Sequence, residues 1–193
     1  GVSGLLGLNF ALTVDGKKRQ VIGVANTVPL KHVHSKFLQA ELTEPGIIEK
    51  LVDEAKPDVI LHCAAIANLE ACEANPKLAA EVNGMLPGRI AESARKHDIQ
   101  MIHISTDAVF DGTKGNYCET DEPNPLSVYA CTKWEGEKAV TSANSQAMVA
   151  RVNFYGWSIS GTRSLAEFFV NNMAQGKPIK GFTDVLFCPM MVL

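Results

Sequence analysis

The 193-residue sequence has no long run of basic side chains, no Cys-x-x-Cys pair and no apolar run long enough to span a bilayer. Each absence removes a class of function. With 18 Lys and Arg against 21 Asp and Glu the formal net charge is -3, so there is no electrostatic case for binding nucleic acid. Five cysteines (Cys63, Cys72, Cys118, Cys131 and Cys188) are scattered and odd in number, which argues for reduced thiols rather than a disulfide or zinc framework. A membrane helix needs about 20 consecutive apolar residues, and neither that nor a signal-peptide pattern is found. The expectation is a cytoplasmic protein with neither a membrane nor a nucleic-acid partner. An initiator Met is also missing. The chain opens on Gly1-Val-Ser-Gly4-Leu-Leu-Gly7, a glycine pattern that ordinarily follows a strand, and stops at Met191-Val-Leu193 without a polar tail. Both ends read as those of a fragment that lacks its first strand and is inactive by itself.

What is present alternates. Gly4 to about Asp15 has helical spacing, with Leu5, Leu8 and Leu12 on one side. Apolar runs at 21–25, 59–63, 101–105 and 148–152 read as buried strands, since none alternates with polar residues. Between them lie helical segments: one starting at Thr43-Glu-Pro-Gly with Thr43 as N-cap, one from Asn75-Pro76 to about His97, one from Tyr129 to about Thr141, and one at 164–175. Gly84 and Pro87 are positioned to kink or divide the second of these. Strands and helices in this order predict an α/β fold with a doubly wound parallel sheet. The division expected is a nucleotide-binding domain over 1–152 and the beginning of a substrate-binding region over 153–193. Ligands of such sheets bind at the carboxyl ends of strands.

Two groups of residues point to chemistry at such an end. Tyr129 and Lys133, four apart, share a helix face, so a phenol stands beside an ammonium. A free tyrosine titrates near pH ~10, and a neighbouring cation is expected to lower that value and ease proton transfer. Thr106, just past the strand 101–105, would bring a hydroxyl to the same carbonyl group. At the other end of the sequence, Gly1, Gly4 and Gly7 suit a tight turn that brings backbone close to a pyrophosphate at a helix N-terminus. The second strand ends Val24-Ala25-Asn26-Thr27 with no carboxylate to accept a ribose 2′-hydroxyl, and Lys31 and His32 follow. That favours NADPH as cofactor, with NADH as the alternative.

Taken together, Gly1/Gly4/Gly7, Cys63-Ala64-Ala65, Ser105-Thr106-Asp107, Glu119-Thr-Asp121 and Pro125-Leu-Ser-Val-Tyr129-Ala-Cys-Thr-Lys133-Trp-Glu-Gly-Glu137 resemble the extended short-chain dehydrogenase/reductases. Within these, the sequence looks most like the dTDP-4-dehydrorhamnose reductase family. The resemblance implies a Rossmann-type fold with strand order 3-2-1-4-5-6 and reduction of a nucleotide-linked 4-keto-deoxysugar by NAD(P)H, with a homodimer as an assembly open to it. It implies Tyr129 as proton donor, Lys133 as its partner and holder of the nicotinamide ribose, and Thr106 as hydrogen-bond donor to the sugar oxygen. Gly1, Gly4, Leu5, Leu6 and Gly7 match the pyrophosphate turn. Glu41 and Leu42 match positions near the adenine, and Cys63, Ala64 and Ala65 a strand end beside the cofactor. Asp107 and Phe154 fall at substrate positions, Phe154 where family members stack an aromatic on the base.

The sequence also departs from the family. Asp184-Val-Leu-Phe-Cys-Pro189-Met190 replaces the family's Asp-Gln-x-Gly-x-Pro-Thr, so sugar and base specificity stay open. Nucleotide-sugar 4,6-dehydratases carry Asp-Glu after the hydroxyl residue. Here Asp107 precedes Ala108, which argues against dehydration. A 4-epimerase uses the same trio and remains an alternative, as does a non-catalytic regulatory subunit similar to the methionine adenosyltransferase beta subunit. Several residues have plainer readings. His62 and His103 read as strand histidines of the core, His32 and His34 as loop residues rather than metal ligands, and Glu119 to Glu122 as a solvated loop. Trp134 reads as helix packing, and Asn83 as a brace whose partner the sequence does not name.

Overall fold

The structure is a computed structural model that describes residues 1–14, 19–26, 36–181, 183 and 188–192. Lys31, His32, His34 and most of the 184–190 segment therefore lie outside the described residues. The chain divides into two compact units, one made of 1–39 with 152–193 and the other of 40–151.

The larger unit is built on three parallel strands, β3 (Val59–His62), β4 (Gln100–Ser105) and β5 (Met148–Arg151), in the order β3-β4-β5. Their register pairs His62 with His103 and Ser105 with Arg151. Helix α2 (Ile47–Ala55) sets Ile48 and Val52 on one face, and α5 (Leu86–Lys96) buries Leu86, Ile90, Ala91 and Ala94 at helical spacing. These join Ile99, Met101 and Val140, the last from α6 (Val128–Ala143), in one nine-residue core. The expected cap at Thr43 is not formed. Thr43 instead donates its N–H and hydroxyl to the carboxylate of Glu41, and α2 starts only after Gly46, whose φ of 76° requires glycine.

The helix expected over 75–97 runs from Pro76 to Lys96, and its hydrogen bonding changes where Gly84 and Pro87 were expected to kink or divide it. Asn68 caps α3 (Leu69–Ala74) and Asn75 caps α4 (Pro76–Ala79), each accepting a backbone N–H. A π-helical turn over Ala80–Met85 then leads into α5. Pro87 has no N–H to give the carbonyl of Asn83, which is the local cause of the change. That carbonyl lies 2.2 Å from where a side-chain carbon on Gly136 would sit, so α6 crosses the π turn at a distance only glycine permits.

The smaller unit contains α1 (Leu5–Val14), the parallel pair β1 (Ile22–Ala25) and β2 (Lys36–Gln39), the parallel pair β6 (Asn153–Tyr155) and β7 (Pro189–Met191), and α7 (Leu165–Ala174). Strands β2, β6 and β7 are too short to show as periodic runs in the sequence. Ser164 and Glu167 close the first turn of α7 as a reciprocal capping box. β1 pairs with β2 and β3-β4-β5 form one sheet, all parallel, and the fold is α/β with parallel sheets. Among the described residues no helix is long and apolar enough to cross a membrane.

Candidate active site

The end of β4 runs directly into a 3-10 turn over Asp107–Val109, for which Thr106 is the cap. The Thr106 hydroxyl accepts the N–H of Ala108 at 3.1 Å and lies 3.3 Å from the Asp107 carboxylate. It also lies close enough to the Tyr129 phenol to act on its titration. Tyr129 sits in the first turn of α6, which Ser127 caps by accepting the N–H of Ala130. Thr106 and Tyr129 thus meet at the carboxyl end of the central strand of the three.

Lys133, one turn further along α6, is 2 % exposed and donates its Nζ to the carbonyl of Ile104 at 2.6 Å. This corrects the expected electrostatics. Burial pushes the Tyr129 phenol up, the Thr106 hydroxyl offsets part of that, and the Asp107 carboxylate raises it further. Tyr129 is therefore held as the neutral phenol, and Lys133 is not among the groups that shift it. Burial lowers Lys133 to about 8, while the charge of Glu137 works to hold it up. The spacing puts both side chains on one face, but the ammonium turns to a peptide carbonyl of β4.

Asn83, in the π turn, is fully buried. It accepts the N–H of Ile66 at 2.9 Å, returns a bond to the Ile66 carbonyl at 3.0 Å and reaches Thr132 at 3.3 Å. It therefore ties the segment after β3 to α6. No feature of the sequence named those partners, because the π turn that aims the side chain depends on Pro87 and on the α6 crossing.

Glu137 and Arg151 are a second pair absent from the expected site residues. Arg151 Nη2 is 2.7 Å from Glu137 Oε2, and its Nε lies 3.0 and 3.1 Å from the two carboxylate oxygens. The guanidinium also stacks 4.9 Å above Phe110 and 5.5 Å above Trp134, so Trp134 packs against a cation of the core. A signal was available in the sequence: Glu137 is four residues past Lys133, an acid on what must be a buried face.

The histidines form a pair that sequence alone did not suggest. His62 Nδ1 and His103 Nδ1 are 2.9 Å apart, so one ring donates and the other accepts. Burial drives His62 well below its ordinary value and His103 down to about 3, so both are neutral. In the loop after the 3-10 turn, Asp111 accepts from Thr113, Tyr117 and Asn124, and Asp121 accepts from Lys114 and Cys118. Its acids therefore brace the loop.

The remaining expected residues are placed as follows. Cys63, Ala64 and Ala65 follow β3, and Cys63 is half-buried. Glu41 belongs to the turn before α2, and Leu42 packs against the nine-residue core. In the smaller unit, the nitrogens of Gly1 and Val2 both bond to the carbonyl of Val24, at 2.8 and 3.2 Å, and Gly4 N–H bonds to Gly1 O. Helix α1 begins at Leu5, followed by Leu6 and Gly7 in its first turn. A side-chain carbon on Gly7 would lie 2.5 Å from the Gly1 carbonyl, so this turn and helix need glycine there. Phe154 lies in β6, opposite Met190 of β7.

The family model described as the RmlD substrate binding domain matches residues 1–192. A probable low-salt glycan biosynthesis reductase, Agl14, of Haloferax volcanii is 34% identical over 193 residues, covering 98% of this chain and 64% of that protein. The methionine adenosyltransferase 2 subunit beta of Bos taurus is 35% identical over 152 residues, covering 79% of this chain and 44% of that protein. The chain thus spans between about half and two thirds of the length of these relatives. A crystal structure of a hypothetical dTDP-4-dehydrorhamnose reductase from Sulfolobus tokodaii superimposes with a TM-score of 0.81 at 27% identity, over 93% of this chain and 62% of that one. The parallel strands of the α/β fold agree with these matches, and the chain belongs to the dTDP-4-dehydrorhamnose reductase family defined by that domain.

Proposed function

We propose that the protein is a sugar-nucleotide oxidoreductase that reduces a nucleotide-linked 4-keto-deoxysugar. The observation that carries this reading is the placement of the Thr106 hydroxyl, at the end of β4, beside Tyr129 in the first turn of α6, with Lys133 buried one turn away. A phenol kept neutral by burial is a proton donor, which is what ketone reduction asks of it. Thr106 would donate to the carbonyl oxygen, and Tyr129 would pass its proton to that oxygen as the carbon is reduced. Lys133, charged at neutral pH by the value its burial leaves it, would then steady the phenolate that remains.

The chain's residues fit a nicotinamide dinucleotide. The Gly1–Gly7 turn packs so closely that only glycine fits at Gly7, and it presents the first N–H groups of α1, which have no partner within the helix, to an anion. When bound, that cofactor supplies the hydride. Lys133 would hold its ribose, and Cys63, Ala64 and Ala65 would border it. β1 ends at Ala25, and Asn26 follows in place of an acid, which favours NADPH. Asp107 and Phe154 would contact the substrate. The cytoplasm is the setting that suits the protein, since its five scattered cysteines, odd in number, would stay reduced there.

The test uses the full-length protein with NADPH and a 4-keto sugar nucleotide. Tyr129→Phe is expected to lower turnover by at least ~100-fold while NADPH still binds. Equal turnover in variant and parent would remove Tyr129 from the reaction. A second reading rests on the 35% identity to the Bos taurus subunit beta: a regulatory subunit that binds the cofactor and serves a methionine adenosyltransferase. Co-purification with such an enzyme, without NADPH oxidation, would favour it.

A further inference from the structure

Helix α6 reaches three consecutive residues at the end of β4. Tyr129 stands beside Thr106, Lys133 bonds the carbonyl of Ile104, and Glu137 accepts the hydroxyl of Ser105. The three helix residues recur every four positions and so form one buried seam. Tyr129 and Lys133 are accounted for by the proposed reduction; Glu137 is not. It is 3 % exposed, and its carboxylate also receives the forked Arg151 contact from β5.

A buried carboxylate is retained only where it is paired, and pairing to Arg151 alone could be met anywhere along the helix. The placement of Glu137 is specific in two respects. It grips the residue next to Thr106, so it sets the position of the strand end that carries the hydroxyl. It also stands one turn from the Lys133 ammonium. The groups facing Lys133 from the other elements are His62 of β3, His103 of β4 and Cys63 after β3. Burial keeps both histidines neutral and raises the Cys63 thiol, so at neutral pH these contribute no full charge. Among the described residues, Glu137 is the full negative charge that favours the ammonium.

We propose that Glu137 is a positioning residue of the active site: by accepting the Ser105 hydroxyl and the Arg151 guanidinium it pins the ends of β4 and β5 to α6, and so sets the surroundings of Lys133, which is bonded to the neighbouring Ile104 carbonyl. The proposal rests on the reductase reading for its purpose, but not for its measurement. Replacing Glu137 alone would strand the Arg151 charge in the core, so the informative variant removes both, Glu137→Gln with Arg151→Met. In full-length protein with isotopically labelled lysine, the Lys133 resonance, identified by its loss in Lys133→Met, is followed against pH. The midpoint is expected to fall by about one pH unit in the double variant. In Arg151→Met alone, where the carboxylate loses a competing cation, it is expected to rise by roughly half a unit. The pH profile of reduction should move in the same directions, and Glu137→Asp should keep the parental midpoint.

An unchanged Lys133 midpoint in the double variant overturns the proposal. Should that variant not fold, a Lys133 midpoint unmoved or lowered in Arg151→Met does so instead. The titration needs no turnover, so a protein with no reductase activity but a shifted midpoint would refute the function and leave the role of Glu137 standing.

Discussion

The two units of the chain differ in how much core each holds. Residues 40–151 bury nine hydrophobic side chains in one cluster drawn from α2, α5, α6 and the strand β4. Among the described residues, the cluster in the unit of 1–39 and 152–193 holds three, Val2, Ala11 and Ala25, with Val21 and Phe37 packed beside them. Trp157, Ile159, Phe168, Val170 and Met173 of that unit are each around half exposed or more. The proposed proton-transfer groups all belong to the densely packed unit, and the glycine turn to the thinly packed one. Chemistry that needs side chains held within fractions of an ångström sits where packing can hold them. A turn that offers backbone N–H groups depends instead on close approach at glycine and on few side chains.

Substitutions can test that contrast, and the largest effect is expected in the dense core. Ile90→Ala should destabilise the full-length protein by roughly 2–5 kcal/mol, read by denaturant unfolding, because it opens a cavity among α2, α5 and α6. Gly136→Ala should cost about 1–3 kcal/mol and lower turnover as well, since the added carbon meets the Asn83 carbonyl and must push α6 from the π turn. If stability and activity both survive that change, the crossing is looser than described.

Acid should weaken the same unit through its histidines. His103 has a folded value of about 3 and an unfolded value near 6.5, so between these the unfolded chain binds the extra proton. Stability from this source is complete above pH 6.5 and is lost as pH falls, at about 1.4 kcal/mol per pH unit, with His62 acting in the same direction. Thermal melts of the parent from pH 7 to pH 5 should show this loss, and His62→Leu with His103→Leu should flatten it. The smallest effect is expected at Phe168→Ser, on the exposed face of α7, within about 0.5 kcal/mol by the same unfolding measurement. A much larger loss would show that the face is covered in the full-length protein.

The parallel strands and amphipathic helices were legible because apolar runs and helical spacing are properties of neighbouring residues. The Thr43 cap was misread since a threonine can serve either a helix or a turn, and Glu41 two residues earlier settles which. The long helix over 75–97 was legible, with Asn75-Pro76 opening it and Gly84 and Pro87 marking where its hydrogen bonding changes, but the π turn between them was not. Glu137 stood in a quoted motif without a role: its spacing from Lys133 placed it on the same helix face, but its partner Arg151 comes from a strand, which no spacing reveals.

By itself the sequence determined that Tyr129, Lys133 and Glu137 share one face of a helix, and that Thr106 ends a buried strand. Both follow from backbone geometry that local residues fix. Only the tertiary structure decided that the phenol stays neutral, that the ammonium turns to the Ile104 carbonyl, and that a glutamate stands behind it. Charge states in a core depend on desolvation and on partners brought from distant strands, and neither is written in the spacing of a single helix.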